Sequence, residues 1–344
     1  MKVAIIYDAG SDDWTARDVA AVRNNVSEVR DVLRLRGHEV DAMAIRLGDF
    51  RWLSRARRAD LVVNLCEGVG GRAHYEDCVV AALELTDTPF TGPRSWPITV
   101  CHRKHVANTL LQSAGVPVPR FFLAEGNRIP ADAPLPAIVK PAAEDASVGI
   151  DSGAVCTTRK ALRQRTSEIL EHFDDVMVQA YVPGREFNVG FVGSQMLPIS
   201  EIDFARMPDG SWPIVTYAGK WDEEHPEYIG TDPVCPAVIP ADLARKIGKV
   251  ARQAWMLMSS GEGYGRVDLR LDDQGQPWVI EVNPCPDLSS DAGLARMARA
   301  HGWDYGELVM RIADEALTRS QNSRAASALT AGKSAAEAAW RPPA

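Results

Sequence analysis

The stretch GYGRVDLRLDDQGQPWVIEVNPCP, residues 263–286, sets acidic and amide side chains among residues that usually build a core. Val267, Leu269 and Leu271 alternate with Arg266, Asp268 and Arg270; further on, Trp278, Ile280 and Val282 alternate with Val279, Glu281 and Asn283. Period-two alternation in both halves predicts the two strands of a hairpin. With Gln274 and Gly275 at the tip of the turn, simple pairing brings Asp268 opposite Glu281 and Arg266 opposite Asn283. Two carboxylates facing each other across a ladder repel unless a cation lies between them. A magnesium ion, which takes oxygen ligands and commonly uses one or two carboxylates with substrate phosphates, would supply that cation. A solvated sheet face carrying ordinary surface acids has the same spacing, and the spacing leaves both readings open.

The elements that must position these groups follow from the rest of the chain. Its 344 residues predict two or three domains, and 46% hydrophobic with 24% charged residues is ordinary for a globular protein. A net charge of -8 argues against a general nucleic-acid binder. The six cysteines are scattered, without CxxC pairs or His/Cys clusters, which favours a reducing cytoplasm over a disulfide framework or a zinc site. MKVAIIYDAG reads as a strand rather than a signal peptide, and no apolar run approaches the ~20 residues of a membrane span.

Residues 1–94 alternate strand and helix. VAIIYD, HEVDAMAI and ADLVVNLCEG are strands, with helices at about 14–36 and 75–85, which predicts a parallel sheet with ligand contacts at the strand carboxyl ends. CEGVGGRAH follows such a strand, but its glycines match neither a GxGxxG fingerprint nor a phosphate loop with GK[ST], and a plain turn explains it equally well. In residues 95–178 a helix ends at Gly115, VPVPRFFLA is extended, and Lys140 closes a strand before a turn-rich loop. Residues 179–318 hold the hairpin and a long Pro-, Gly- and aromatic-rich loop at 205–236, which reads as a lid or as an ordered surface loop. Residues 319–344 are Ala/Ser-rich without a sustained apolar stripe, and predict a frayed helix or flexible tail.

The succession HRKH…LLQSAGVPVP, AIVKPA…SVGI, VQAYVPGREFNVGFV, GYGRVDLRLD and VIEVNPCPDLSSDAG resembles the ATP-grasp superfamily, and within it the D-alanine–D-alanine ligases. The resemblance runs from the first strand to about Leu317. It implies an ATP-grasp fold behind an N-terminal Rossmann-like domain: α/β, with α+β character in the C-terminal part. It also implies a ligase that joins a carboxylate to an amine through an acyl phosphate, with ATP and Mg2+ as cofactors. The expected partners are small-molecule carboxylates and amines of the amino-acid type, with no nucleic acid and no membrane; a homodimer is left open.

Residue by residue, Lys104 and Lys140 match the lysines that contact ATP phosphates, although an exposed lysine is by itself usually a solvated charge. Ser147 matches the phosphate-covering loop; Gln179, Ala180, Tyr181 and Val182 match the segment around the adenine; and Glu186 matches the acid that accepts from the ribose hydroxyls. Lys220 matches the lid lysine, Asp268, Glu281 and Asn283 the magnesium ligands, and Arg266 the arginine that steadies charge on the tetrahedral intermediate. The departures lie in the substrate region. Alanine stands at 146 where the family has serine, and Trp221 follows the lid lysine where it has tyrosine. Ser11, Asp12 and Asp13 offer no glutamate after the first strand; Glu67 stands in place of a histidine. The serine that holds the second substrate's carboxylate falls at Ala292, with Asp287 and Asp291 nearby, and a local shift would let Ser289 or Ser290 take its place. These replacements imply a changed substrate pocket; a true D-alanine–D-alanine ligase of cell-wall synthesis and a non-catalytic ATP-binding regulator are the alternatives.

Overall fold

The structure, a computed structural model, describes residues 1–338 apart from positions 13 and 127, with side chains through residue 326. Asp13 and the last residues of the expected tail, 339–344, lie outside the described residues. The apolar runs of β1 (Lys2–Asp8), β2 (Glu39–Ile45) and β3 (Leu61–Leu65) form a parallel sheet in the order β2-β1-β3, extended by a bridge from Val62 to Phe90. Helix α1 (Ala16–Leu35) begins with a capping box: the Thr15 hydroxyl accepts from the Asp18 N–H, and the Asp18 carboxylate accepts from the Thr15 N–H. Its Val26, Val29 and Leu33 cover one face of the sheet together with Val309, Ala313 and Ala316 of the C-terminal helix, so the N-terminal sheet is completed by the far end of the chain. The other face is covered by Trp52, Val79, Val80, Leu83 and Ile98 from α2 (Arg51–Ala56), α3 (Glu76–Glu84) and α4 (Ser95–Cys101).

After α5 (Lys104–Ser113) come β4 (Phe121–Leu123), β5 (Ala137–Pro141), β6 (Val155–Cys156), α6 (Arg159–Leu170) and β7 (Val176–Ala180). The antiparallel sheet has the order β4-β7-β5-β6. Ala137, Val139, Val176 and Val178 pack on Leu162 and Ile169 of α6. Alternation then turns Ile138, Lys140, Met177 and Gln179 to the opposite face, on the rungs Ile138–Gln179 and Lys140–Met177.

The third sheet, β11-β10-β8-β12-β13 with β9 on β8, is built from β8 (Glu186–Val192), β9 (Gln195–Met196), β10 (Ser200–Asp203), β11 (Asp232–Val234), β12 (Tyr264–Leu271) and β13 (Pro277–Pro284). The loop at 205–236 contains two short helices, α7 (Tyr217–Trp221) and α8 (Pro226–Ile229), and strand β11. Helix α9 (Ala241–Ser259) lays Ile247, Ala251, Ala254, Trp255 and Met258 on Phe187, Val189, Phe191, Val267, Leu269 and Leu271. Burial of each large side chain here contributes about 1.5–3 kcal/mol. A Cβ at Gly265 would stand 2.1 Å from the Trp255 ring, so only glycine lets this indole close on the strand.

The hairpin has the expected rungs at the site: Arg266 faces Asn283 and Asp268 faces Glu281. Nearer the turn the register shifts by a bulge, with Leu269 opposite Val279 and Leu271 opposite Pro277. The bulge corrects the simple alternation. Val279 joins Val282 in the core, while Trp278 and Ile280 are only partly buried.

Helix α10 (Gly293–His301) is followed by α11 (Tyr305–Ala338), whose later turns lie in the segment expected to be a frayed helix or flexible tail. Buried Arg319 donates to the carbonyls of Phe90 and Gly92, and Arg324 donates to that of Asp87, so tertiary bonds hold the helix where no apolar stripe does. Among the described residues no helix is long and apolar enough to cross a membrane.

Candidate active site

Because Val267, Leu269, Phe187 and Val189 face α9, the alternate residues of β8, β12 and β13 share the other face. Glu186 lies opposite Arg270, and Asn188 opposite Asp268, which faces Glu281 on its other side. Both Asp268 oxygens are held: Arg266 donates through Nε at 2.7 Å and Nη2 at 2.8 Å, Asn188 Nδ2 at 2.7 Å and Asn283 Nδ2 at 2.9 Å. Glu281 lies 2.5 Å from the ammonium of Lys104, which also donates to Asp145 at 2.7 Å. Burial opposes the charge on Lys104, but Glu281 and Asp145 outweigh it and hold its pKa above the ordinary lysine value. Burial likewise opposes charge on Glu281, and Lys104 and Lys140 reverse this and keep it ionised.

Lys140 differs. It is buried and its ammonium makes no hydrogen bond or ion pair among the described residues; desolvation, partly offset by Glu281, lowers its pKa to about 8. An anion entering beside it would pair with the ammonium and offset the cost of burying its charge.

Among the described residues no group of three His, Cys, Asp or Glu side chains could hold a metal. The expected set escapes that description because it pairs two carboxylates with an amide. Asp268, Glu281 and Asn283 share one edge of the hairpin, and each carboxylate already draws a cation, Arg266 or Lys104. An all-oxygen set with this demand for positive charge fits a hard divalent ion such as magnesium.

The β5–β6 loop and the segment at 205–236 close over this face. Ala146 and Ser147 have φ of 54° and 62°, left-handed values that cost a non-glycine residue free energy. They are held there by the segment at 205–236: Trp221 Nε1 donates to the Ala146 carbonyl at 3.0 Å, Ser147 Oγ to the Val215 carbonyl at 2.9 Å, and the Tyr217 N–H to the Ile150 carbonyl at 2.8 Å. Lys220 lies 5.2 Å from the Trp221 ring centroid, and desolvation together with nearby Arg266 lowers its pKa. Gln179 is buried with Nε2 unpaired, Ala180 is half-buried, and Tyr181 and Val182 are buried, with Tyr181 edge-on to Trp212.

Of the groups expected around the substrate, Glu67 stands just beyond the end of β3. Its side chain keeps solvent exposure, and the surrounding cleft atoms, which desolvate the carboxylate, followed by the Asp287 and Glu76 carboxylates, push its pKa above the ordinary value. Ser289 donates to Asp287 at 2.6 Å. Ser290 is committed elsewhere: its hydroxyl and N–H both donate to Glu28 of α1, at 3.0 and 2.9 Å. Asp291 is exposed, and its carbonyl accepts from Arg296.

The family model for the D-ala D-ala ligase C-terminus matches residues 110–314. The chain belongs to the D-alanine–D-alanine ligase family of ATP-grasp ligases. A D-alanine–D-alanine ligase of Bordetella avium is 30% identical over 324 residues, 92% of this chain and 94% of that one. In fold, it is similar to a Bacillus anthracis D-alanine–D-alanine ligase complexed with ATP, at a TM-score of 0.74 and 19% identity, covering 94% of this chain and 99% of that one. It is also similar to the VanG D-Ala:D-Ser ligase of Enterococcus faecalis, at a TM-score of 0.72 and 18% identity, covering 92% and 99%. The ATP-grasp fold, an ATP-dependent ligase of this general type, and ATP and Mg2+ as cofactors follow from membership.

Several polar residues of this ATP-grasp cleft have no counterpart in the sequence expectations. Asn188 and Arg270 join the site only through pairing of strands some eighty residues apart. His102 bonds Glu76 at 3.0 Å and lies 3.5 Å from Asp145, linking α3 to the β5–β6 loop. Burial alone would lower the His102 pKa, but Glu76 and Asp145 raise it.

Proposed function

We propose that the chain forms an amide bond between a carboxylate and an amine through an acyl phosphate, releasing ADP and phosphate, and that its preferred substrates are not two D-alanines. The observation that supports this reading is the meeting of Lys104, Lys140, Lys220 and Arg266 with Asp268, Glu281 and Asn283 in one cleft. Phosphoryl transfer to a carboxylate is chiefly charge neutralisation and in-line positioning, and these residue types supply both.

In this reading Lys104 and Lys140 hold ATP phosphates, and Lys140 has its charge free for an anion. Gln179, Ala180, Tyr181 and Val182 line the base end, Glu186 takes the ribose hydroxyls, and Ser147 and Lys220 cover the terminal phosphate. Asp268, Glu281 and Asn283 would hold magnesium, which when bound supplies positive charge to the phosphate oxygens. Arg266, fixed by two bonds to Asp268, steadies the oxyanion that forms as the amine adds. The lid contacts to Ala146 and Ser147 exclude water from an intermediate that hydrolyses readily.

The substrate reading rests on lost and added partners. Ala146 and Ala292 present methyl groups, the Trp221 N–H is spent on a backbone carbonyl, and Ser290 is tied to Glu28. The surplus of negative charge lies at Glu67 and Asp287, which have no ion-pair partner among the described residues, while Asp145 is paired with Lys104 and Glu76 with His102. That balance favours a substrate with a second cationic group. The similarity to the Bordetella enzyme across 92% of the chain favours the alternative, D-alanine at both positions. A comparison of kcat/KM for D-alanine against basic amino acids and other amines, following ADP and product mass, decides between them. D-alanyl-D-alanine as the best product of the panel would refute the changed pocket.

A further inference from the structure

Arg270 is buried on the site face of β12, and its planar guanidinium bonds three separate segments at once. Nη1 donates to Glu186 Oε2 at 3.0 Å and to the Pro213 carbonyl at 2.7 Å; Nη2 donates to the Gly184 carbonyl at 2.8 Å and lies 3.4 Å from the Tyr181 hydroxyl. The cation also rests over the rings of Tyr181 and Phe204, 5.1 and 5.7 Å from their centroids. Pro213 belongs to the lid, while Tyr181 and Gly184 belong to the crossing between the second and third sheets. The Gly184 approach is a built one: its N–H donates to the Leu271 carbonyl, and a Cβ there would stand 2.3 Å from that oxygen. Nε of Arg270 is buried without a partner, so the two terminal nitrogens carry all its hydrogen bonds. Only a guanidinium can serve two carbonyls and a carboxylate in one plane.

We propose that Arg270 is the positioning residue of the nucleotide's sugar subsite, fixing the Glu186 carboxylate toward the ribose hydroxyls and tying it to the lid through Pro213. The proposal rests on the ATP reading above. It makes sugar recognition and lid closure one event: a ribose that engages Glu186 stabilises the same guanidinium that holds the lid.

The test measures binding of ATP, 2′-deoxyATP and 3′-deoxyATP to the full chain with magnesium, with protease cleavage within 205–236 as a second readout. Wild type binds ATP roughly tenfold or more tighter than at least one deoxy analogue, the loss expected for a hydrogen bond to a charged group. Arg270→Met brings that ratio toward one and leaves the lid cleavable in the presence of ATP. Glu186→Gln lowers the same ratio. Arg270→Lys recovers part of the ATP affinity but not the lid protection, because an ammonium cannot span both carbonyls. A folded Arg270→Met that keeps wild-type discrimination and lid protection overturns the proposal, as does a wild type indifferent to both deoxy analogues. If Arg270→Met does not fold, wild-type discrimination and protection in Arg270→Lys overturn it. Sugar discrimination without turnover would instead contradict the ligase reading and leave this one standing.

Discussion

Replacing Lys140 with methionine should stabilise the ligand-free protein while destroying its affinity for ATP. The lysine is buried without an ion-pair partner, and its pKa falls from 10.5 to about 8. At about 1.4 kcal/mol per pH unit, holding that charge costs the fold up to about 3 kcal/mol at pH 7. The sign follows from proton counting. Between pH 8 and 10.5 the unfolded chain keeps a proton on this lysine that the folded chain has released, so stability rises with pH across that window; below pH 8 the full cost is present. Lys140→Met removes the cost and flattens that part of the profile. Bound phosphates restore the charge, so wild-type affinity for ATP falls by up to about tenfold per pH unit above pH 8, and the mutant shows no such slope. Denaturant midpoints and nucleotide titrations at pH 7, 8, 9 and 10 measure both effects. A Lys140→Met protein less stable than wild type at pH 7, or one binding ATP normally, would refute the reasoning.

Asp268→Asn and Glu281→Gln should each cut magnesium-dependent turnover by orders of magnitude with the fold retained by circular dichroism; wild-type turnover with unchanged magnesium dependence would remove them from the metal site. Cleavage within 205–236 should fall when magnesium, a nonhydrolysable ATP analogue and substrate are added together, and equal cleavage with and without them would argue against a lid. Gly265→Ala should cost about 1–3 kcal/mol or more in a denaturant titration, because its methyl would stand 2.1 Å from the Trp255 ring; a neutral effect would mean the indole moves freely.

The hairpin was legible because its information is local: alternation and a short turn suffice to set Asp268 against Glu281. The bulge was not, since it depends on which apolar groups α9 accepts, and it exchanges Val279 for Ile280 in the core. Helix α9 has no counterpart in the expectations, although Ile247, Ala251, Ala254, Trp255 and Met258 already carry helical spacing in the sequence. Lys104 and Lys220 are unremarkable charges in isolation and became candidates through family resemblance, which for Lys140 was joined by its place at a strand end before a turn-rich loop. Asn188, Arg270 and Glu28 gain their roles from contacts spanning 80 to 262 residues, which no local pattern records. The extension of α11 through Arg319 depends on carbonyls at Phe90 and Gly92, again invisible to composition.

The central claim is that a carboxylate is activated as an acyl phosphate. It is tested most directly with a carboxylate substrate labelled with oxygen-18 in both oxygens, magnesium-ATP and the amine, analysing the released phosphate by mass. Attack of a carboxylate oxygen on the terminal phosphorus, followed by displacement of phosphate by the amine, carries one labelled oxygen into phosphate for each amide formed. The account predicts that stoichiometry, matched by ADP. Amide formed with unlabelled phosphate, or ADP released without amide, would contradict it.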